Sequence, residues 1–517
     1  MRALAIILAL GACSACGGGG GGGGTPAPAP AAVTAGVASG PSPWGPGCGG
    51  ASGSGTAYVN AEVEPHFVVN PRNPDHWLGA WQQDRWSNGS ARGLRTAVTF
   101  DGGATWTLAS APFSACAGGE FARATDPWVA FAADGTAFLA GLGVSGGTFA
   151  AGSANAVLVS RSPDGGRTWD APATLIRDGA GGFNDKETLT GDPLDARFLY
   201  AAWDRLAPGA GGPAYFARTV DGGATWQPAR AIFDPGPGSQ TIGNLVRVLP
   251  NGTLVNLFVQ LDGPEDAPVT ATIRAMRSTD RGETWSAPVT VSPLQALGAR
   301  DPTTGTRIRD GSIIAQMAAG PDGALHVVWQ DARFTGARDA IAYSRSTDGG
   351  LTWGAPVRVN ARADATAFTP QVHVRADGTV GVTYFDLRSD TADAATLWAE
   401  HWLARSTDGA SWSEVRVAGP FDLAAAPLSG TQYFLGDYMG LASVGDAFVP
   451  FYTRTTGEAS NRTDVHFARI GGTVAGSAAP PDGKRQAAPG PDFERQLARN
   501  YAGALAARRQ APTGPMR

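Results

Sequence analysis

The 517-residue chain is poor in lysine, cysteine and long apolar runs. Only Lys186 and Lys484 are lysines, so its positive charge is carried almost wholly by arginine. Biased codon usage explains this plainly, although guanidinium also suits bidentate carboxylate recognition better than ammonium does. A net charge of −5 excludes generic nucleic-acid binding. No HExxH, P-loop, GxSxG, paired CxxC or dinucleotide fingerprint occurs, so the sequence names no metal and no cofactor. The six histidines are scattered, and strand-borne His326 and His373 read as packed side chains. The apolar run Ala3 to Leu10 is too short to span a bilayer.

What the chain does have is a phrase repeated six times, about 60 residues apart. It runs Thr99-Phe-Asp101-Gly-Gly-Ala-Thr105-Trp106 in the first copy, and the same aspartate recurs as Asp164, Asp221, Asp280, Asp348 and Asp408. The last copy, Ser406 to Trp412, is one residue short. Alternating apolar strands flank each copy, as in Ile341-Ala-Tyr-Ser-Arg345, so each phrase reads as a hairpin turn. The aspartate and the Ser or Thr can hydrogen-bond the turn's own backbone, and glycine accepts positive φ. A structural role is therefore favoured over a calcium site, because six separate turns cannot converge on one ion. The 72 glycines suit a turn-dense, all-β chain. A fixed period implies units that stack on their neighbours to bury their apolar faces.

The six copies match the S/T-x-D-x-G-x-T-W pattern, and the chain from about residue 57 to 474 resembles the Asp-box proteins, a family best known through the sialidases. The resemblance implies a single β-propeller of four-stranded blades over residues 56–474. A further unit after the sixth copy holds Tyr438, Ala447 to Tyr452 and Asp464 to Arg469, and it lacks a fourth strand. Thr56-Ala-Tyr-Val-Asn60 is the expected outer strand, closing a ring of seven blades rather than six without a free sheet edge.

Residues 1–12 read as a signal peptide, and Leu10-Gly-Ala-Cys13 resembles a bacterial lipobox. Cys13 is the expected lipidation site, and residues 13–55 form a Gly/Pro/Ala-rich tether. An ordinary signal peptide cut elsewhere is the plainer alternative. The expected location is outside the cytoplasm: lipid-anchored to the cell envelope (outer membrane) or secreted. The protein is expected to be a monomer that meets the membrane only through that lipid. Such a compartment permits a Cys48–Cys116 disulfide, with two free thiols as the alternative. The low-complexity tail, residues 475–517, carries Phe493, Leu497, Tyr501 and Leu505 at helical spacing and predicts a short docked helix.

Candidate chemistry lies on the rim opposite the Asp boxes. The loops after the second strands begin Asp84-Arg85, Asp204-Arg205, Asp331-Ala-Arg333 and Asp386-Leu-Arg388, with Arg454 in the last unit. Glu64-Pro65, Asp126-Pro127, Asp185-Lys186-Glu187 and Asp437-Tyr438 open innermost strands on the same rim. Each Asp–Arg pair reads either as a salt bridge repeated with its blade or as part of a charged bowl for an anionic sugar. Arg85, Arg205, Arg333, Arg388 and Arg454 are the substrate-binding candidates. The sialidase resemblance implies Asp84 as acid and Tyr438 as nucleophile, assisted by Glu187. The Arg-Ile-Pro signature of that family is absent, and Glu64-Pro65-His66-Phe67 stands in its place. Two functions follow: an exo-acting, sialidase-like glycoside hydrolase for acidic glycans, or a non-catalytic propeller lipoprotein that binds glycan or protein.

Overall fold

Alternation along the strands, broken by Asp-Gly and Pro-Asp-Gly turns, produces four-stranded antiparallel meanders one after another. The computed structural model describes residues 33–45, 47–48, 55–208, 211–263, 268–472, 483–489 and 492–509, with side chains to 503 on the final helix. Five sheets of four strands are separate, and one of eight divides at the single Ala91–Ala124 bridge into two more meanders. Among the described residues there are thus seven such units. Their innermost strands are Glu62–Asn70, Arg123–Phe131, Phe183–Gly191, Ser239–Val248, Gln316–Ala319, Ala367–Val374 and Gly440–Val444. Each lies beside the next, and the seventh lies beside the first, as the blades of a β-propeller do.

The Asp boxes hold the outer turns as their residue types require. Asp101 accepts from Thr105 N at 2.9 Å and Thr105 Oγ1 at 2.6 Å, and Thr99 Oγ1 donates to it at 2.6 Å. Gly102 and Gly103 take φ of 68° and 92°, where a side chain is disfavoured. The same bonds recur around Asp164, Asp221, Asp280 and Asp348. The shortened sixth copy closes through Ser411 N on Asp408, at 2.8 Å. The box tryptophans lean on the preceding unit: Trp169 Nε1 donates to Thr96 Oγ1 at 3.0 Å, Trp285 meets Phe216 edge-on and Trp412 meets Tyr343 edge-on.

One expectation is corrected. The strand that completes the seventh unit is Val33–Val37, paired with Asn461–Ile470 from Val33↔Ile470 to Val37↔His466. Thr56 to Asn60 instead runs along the first unit, where Ala57 makes one isolated bridge to Trp86. The tether boundary at residue 55 therefore falls too late, because the fold begins at Val33. A five-residue run interrupted by Ala35 and Gly36 is a weak strand signal. Gly36 is required there, since a Cβ would stand 2.8 Å from the Phe467 ring.

The tail helix is Phe493–Arg509, docked through Phe493, Leu497 and Tyr501. The Tyr501 hydroxyl donates to Leu294 O at 2.6 Å, and Asn500 Nδ2 donates to Ala296 O at 2.9 Å. Cys48 and Cys116 form a disulfide between the N-terminal arm and the short turn Ala115–Ala117. The signal segment and Cys13 lie outside the described residues. No helix among the described residues is long and apolar enough to cross a membrane.

Candidate active site

The site is built from a bulge repeated where the innermost strands begin. The ladder to the second strand slips between Val63 and His66, Thr125 and Trp128, Asp185 and Thr188, Ile242 and Leu245, and Phe368 and Gln371. The residue in the slip takes left-handed backbone: Glu64 (φ 54°), Asp126 (54°), Lys186 (53°), Gly243 (69°) and Thr369 (49°). Glycine is the ordinary occupant, as in the fourth unit. A charged side chain in its place costs about 1 kcal/mol or more and is kept where the surroundings or the function demand it.

Those charged side chains converge. Lys186 Nζ lies 3.2 Å from Glu64 Oε1, 3.0 Å from Asp126 Oδ2 and 2.8 Å from Asp437 Oδ2. The contact with Asp126 is an ion pair rather than an aligned hydrogen bond. Arg309 grips Asp437 with Nε at 3.0 Å and Nη2 at 2.5 Å. It arrives on a small extra sheet, Ile308–Arg309 beside Gln432–Phe434 and Leu428–Ser429. Arg85 and Arg309 lie on the Phe434 ring, each 4.7 Å from its centroid.

Electrostatics follow from this burial. Burial lifts Glu64 to about 8, against the pull of Lys186. Burial also works to raise Asp126 and Asp437, but Lys186, joined by Arg309 at Asp437, more than offsets it, so both stay ionised. Lys186 is held protonated by its three carboxylates despite burial. Arg85 and Arg123 are each lowered to about 10 by burial.

Above the cluster, on the face opposite the Asp boxes, opens a cavity of about 180 Å3. Arg85, Arg123, Lys186, Arg309 and Asp126 line it. Arg85 has no carboxylate partner among the described residues, bonding Gln82 Oε1 at 2.6 Å and Ser429 Oγ at 3.4 Å. Beneath Lys186, which lines both spaces, a second, narrow cavity holds Tyr438, Glu187 and Trp128. Among the described residues both Glu187 oxygens lack a hydrogen-bond partner, and burial raises its pKa well above the usual range. The Tyr438 hydroxyl donates to Pro127 O at 3.1 Å.

The sequence candidates thus separate. Glu187 and Tyr438 share one cavity, and Arg85 lines the other. Asp84 is corrected: it is fully buried, accepts from Ser42 Oγ at 2.6 Å and Asn60 N at 2.8 Å, and pairs with Arg92 at 3.2 Å. It anchors the N-terminal arm and lines neither cavity. Four arginines are corrected likewise, because nearby groups hold each of them away from the central cavity. Arg205 is bidentate with Asp178, Arg333 with Asp331, and Arg388 bonds Asp386 and Glu414. Arg454 bonds His466 at 3.1 Å. Glu64, Asp126, Lys186 and Asp437 were placed on the rim by sequence but given no role, and Arg123 and Arg309 were missed. Proline after Glu64, Asp126 and Thr369 is the signal that marks the bulges, since proline within a strand is confined to edges and bulges.

No family model and no curated protein matches the chain. Solved structures similar to it include an α-L-arabinanase of Penicillium chrysogenum, 13% identical over 80% of this chain and 94% of that one, TM-score 0.43. A Hadza microbial sialidase is 15% identical over 76% of each chain, TM-score 0.42. The leech intramolecular trans-sialidase is 14% identical over 80% of this chain and 68% of that one, TM-score 0.39.

Proposed function

We propose that the protein is an extracytoplasmic glycoside hydrolase of the sialidase type, acting on an acidic glycan at the centre of a closed seven-bladed propeller. One observation carries the reading: four cationic side chains, Arg85, Arg123, Lys186 and Arg309, converge with Asp126 on one cavity. Guanidinium groups take a carboxylate bidentately, and among the described residues no carboxylate is bonded to Arg85. Below them, groups with opposed protonation stand together, Glu64 raised and Asp126 and Asp437 lowered, as acid–base chemistry at neutral pH requires. Tyr438 is the nucleophile of this reading, with Glu187 beside it in the same narrow cavity. Export with a lipid on Cys13 belongs to the same reading.

The test is release from a panel of fluorogenic glycosides, acidic and neutral. Wild type is expected to cleave acidic members only, and Tyr438→Phe and Asp126→Asn are each expected to lower kcat at least a hundredfold. A second reading, a glycan-binding propeller without turnover, is favoured by the buried Tyr438 hydroxyl and its bond to Pro127. No release from any panel member, with calorimetric binding of an acidic saccharide retained, would establish that alternative.

A further inference from the structure

On the face that carries the central cavity, a larger groove of about 590 Å3 opens between the fifth and sixth units. Its walls are the loop from Leu297 to Gly305, the segments Ala337–Asp339 and Asp364–Thr366, and the tail helix through Gln496 and Arg499. Arg300, Arg338 and Arg499 line it, and none of them has a carboxylate partner among the described residues. This differs from Arg205, Arg333 and Arg388 on the same face, each of which is paired with nearby acids.

The groove's own acids bond to other groups, although Asp364 also attracts Arg338. Asp301 accepts from Thr303 N and Thr304 N, Asp364 pairs with Arg362, and Asp339 accepts from Leu297 N and Gly298 N at 2.8 Å each. Partial burial and the nearby Arg307 and Arg499 lower the pKa of Arg300, with Asp310 opposing them. Gly298, with φ 79°, keeps the wall open, because a Cβ there would stand 3.0 Å from Arg307 Nη2 and from Asn500 Oδ1.

We infer that this groove is a second binding site, for the anionic substituents of an extended acidic polysaccharide. The tail helix is thereby part of a ligand site as well as a docked cap. The connection that supplies Arg300 to the groove continues to Arg309 at the central cavity, so one chain segment borders both. The inference concerns binding alone and stands whether or not the central cavity turns over substrate.

Polygalacturonate supplies carboxylates, dextran sulfate supplies sulfates and dextran is the neutral control. Calorimetry on the full chain should show both acidic polymers binding and dextran not binding. The triple variant Arg300→Gln, Arg338→Gln, Arg499→Gln should weaken acidic-polymer binding by about tenfold or more, each lost charge-assisted contact being worth that order. Its melting temperature should stay within a few degrees of wild type, since the three side chains are exposed. The triple variant should leave turnover of a small fluorogenic glycoside intact. Unchanged polymer affinity in the triple variant, or equal binding of dextran, overturns the inference. Preference for one acidic polymer assigns the anion as carboxylate or sulfate.

Discussion

Lys186 shows why a compact ammonium persists in a chain whose positive charge is carried almost wholly by arginine. Three carboxylates surround a single nitrogen, and a planar guanidinium cannot present its donors in that geometry. Lys186→Met is expected to destabilise the fold by about 3–5 kcal/mol, because it leaves buried charge uncompensated. Lys186→Arg should recover little of that loss, and urea unfolding of both variants checks it. Asp84 makes the complementary case. Its role as acid followed from its place after a second strand, but that rule is blind to the arm crossing above it, where Ser42 and Asn60 bind the carboxylate. Asp84→Ala should lower the melting temperature sharply, and any activity lost should track the folded fraction. A wild-type melting point with activity abolished would restore the catalytic assignment.

Protonation adds a pH profile. Burial, helped by Asp310, lifts Asp339 to about 7, and burial lifts Glu64 to about 8. A carboxyl raised on folding stabilises at low pH, and that stability is lost as pH climbs through the folded value. Asp101, Asp221 and Asp280 run the other way. Hydrogen bonds, led by the box threonine hydroxyl, lower each to about 2, so their contribution is present above about pH 4 and lost below it. On these carboxyls alone, calorimetric scans should find the melting temperature greatest near about pH 4, with Asp339→Asn flattening its fall between about pH 4 and 7.

At the scale of the element, the hairpins were legible because the Asp box is a local device: each turn is held by bonds among residues within four positions. The bulges were less legible, because only proline betrays them and Lys186-Glu187 has none. The extra sheet that delivers Arg309 has strands of two and three residues, too short to leave a periodic trace. Neighbouring units fit through glycine against aromatic rings. A Cβ on Gly79 would stand 2.3 Å from the Phe451 ring, which itself stacks on Phe67 at 4.8 Å, across the junction of the first and seventh units. Gly79→Ala should cost about 1–3 kcal/mol by overpacking, measured by denaturant midpoint at constant m-value.

Across the whole molecule, the four-stranded repeat was readable from six phrases, while the strand that completes the ring was misplaced. Pairing between chain ends leaves no local pattern, and Val33–Val37 is short and Gly-interrupted. The same distance makes the disulfide useful. Cys48 and Cys116 enclose a 68-residue separation, and removing the bond with Cys48→Ser and Cys116→Ser should lower stability by about 4 kcal/mol on loop entropy. Deleting residues 1–38 should expose the Asn461–Ile470 edge and give concentration-dependent association in sedimentation runs.

The join between the ends also sets a clock on assembly. Ser39 and Val465, bonded at 2.9 Å, are 426 residues apart, so the first strand made must wait for nearly the last. During synthesis the opening strand has no native partner, and the barrel of meanders stands open like an unfastened collar. A ribosome that stalls late therefore releases a chain with most of its sheets buildable and its fastening absent. Such truncated products would carry Val33–Val37 without the Asn461–Ile470 strand it pairs with, a free strand on every molecule.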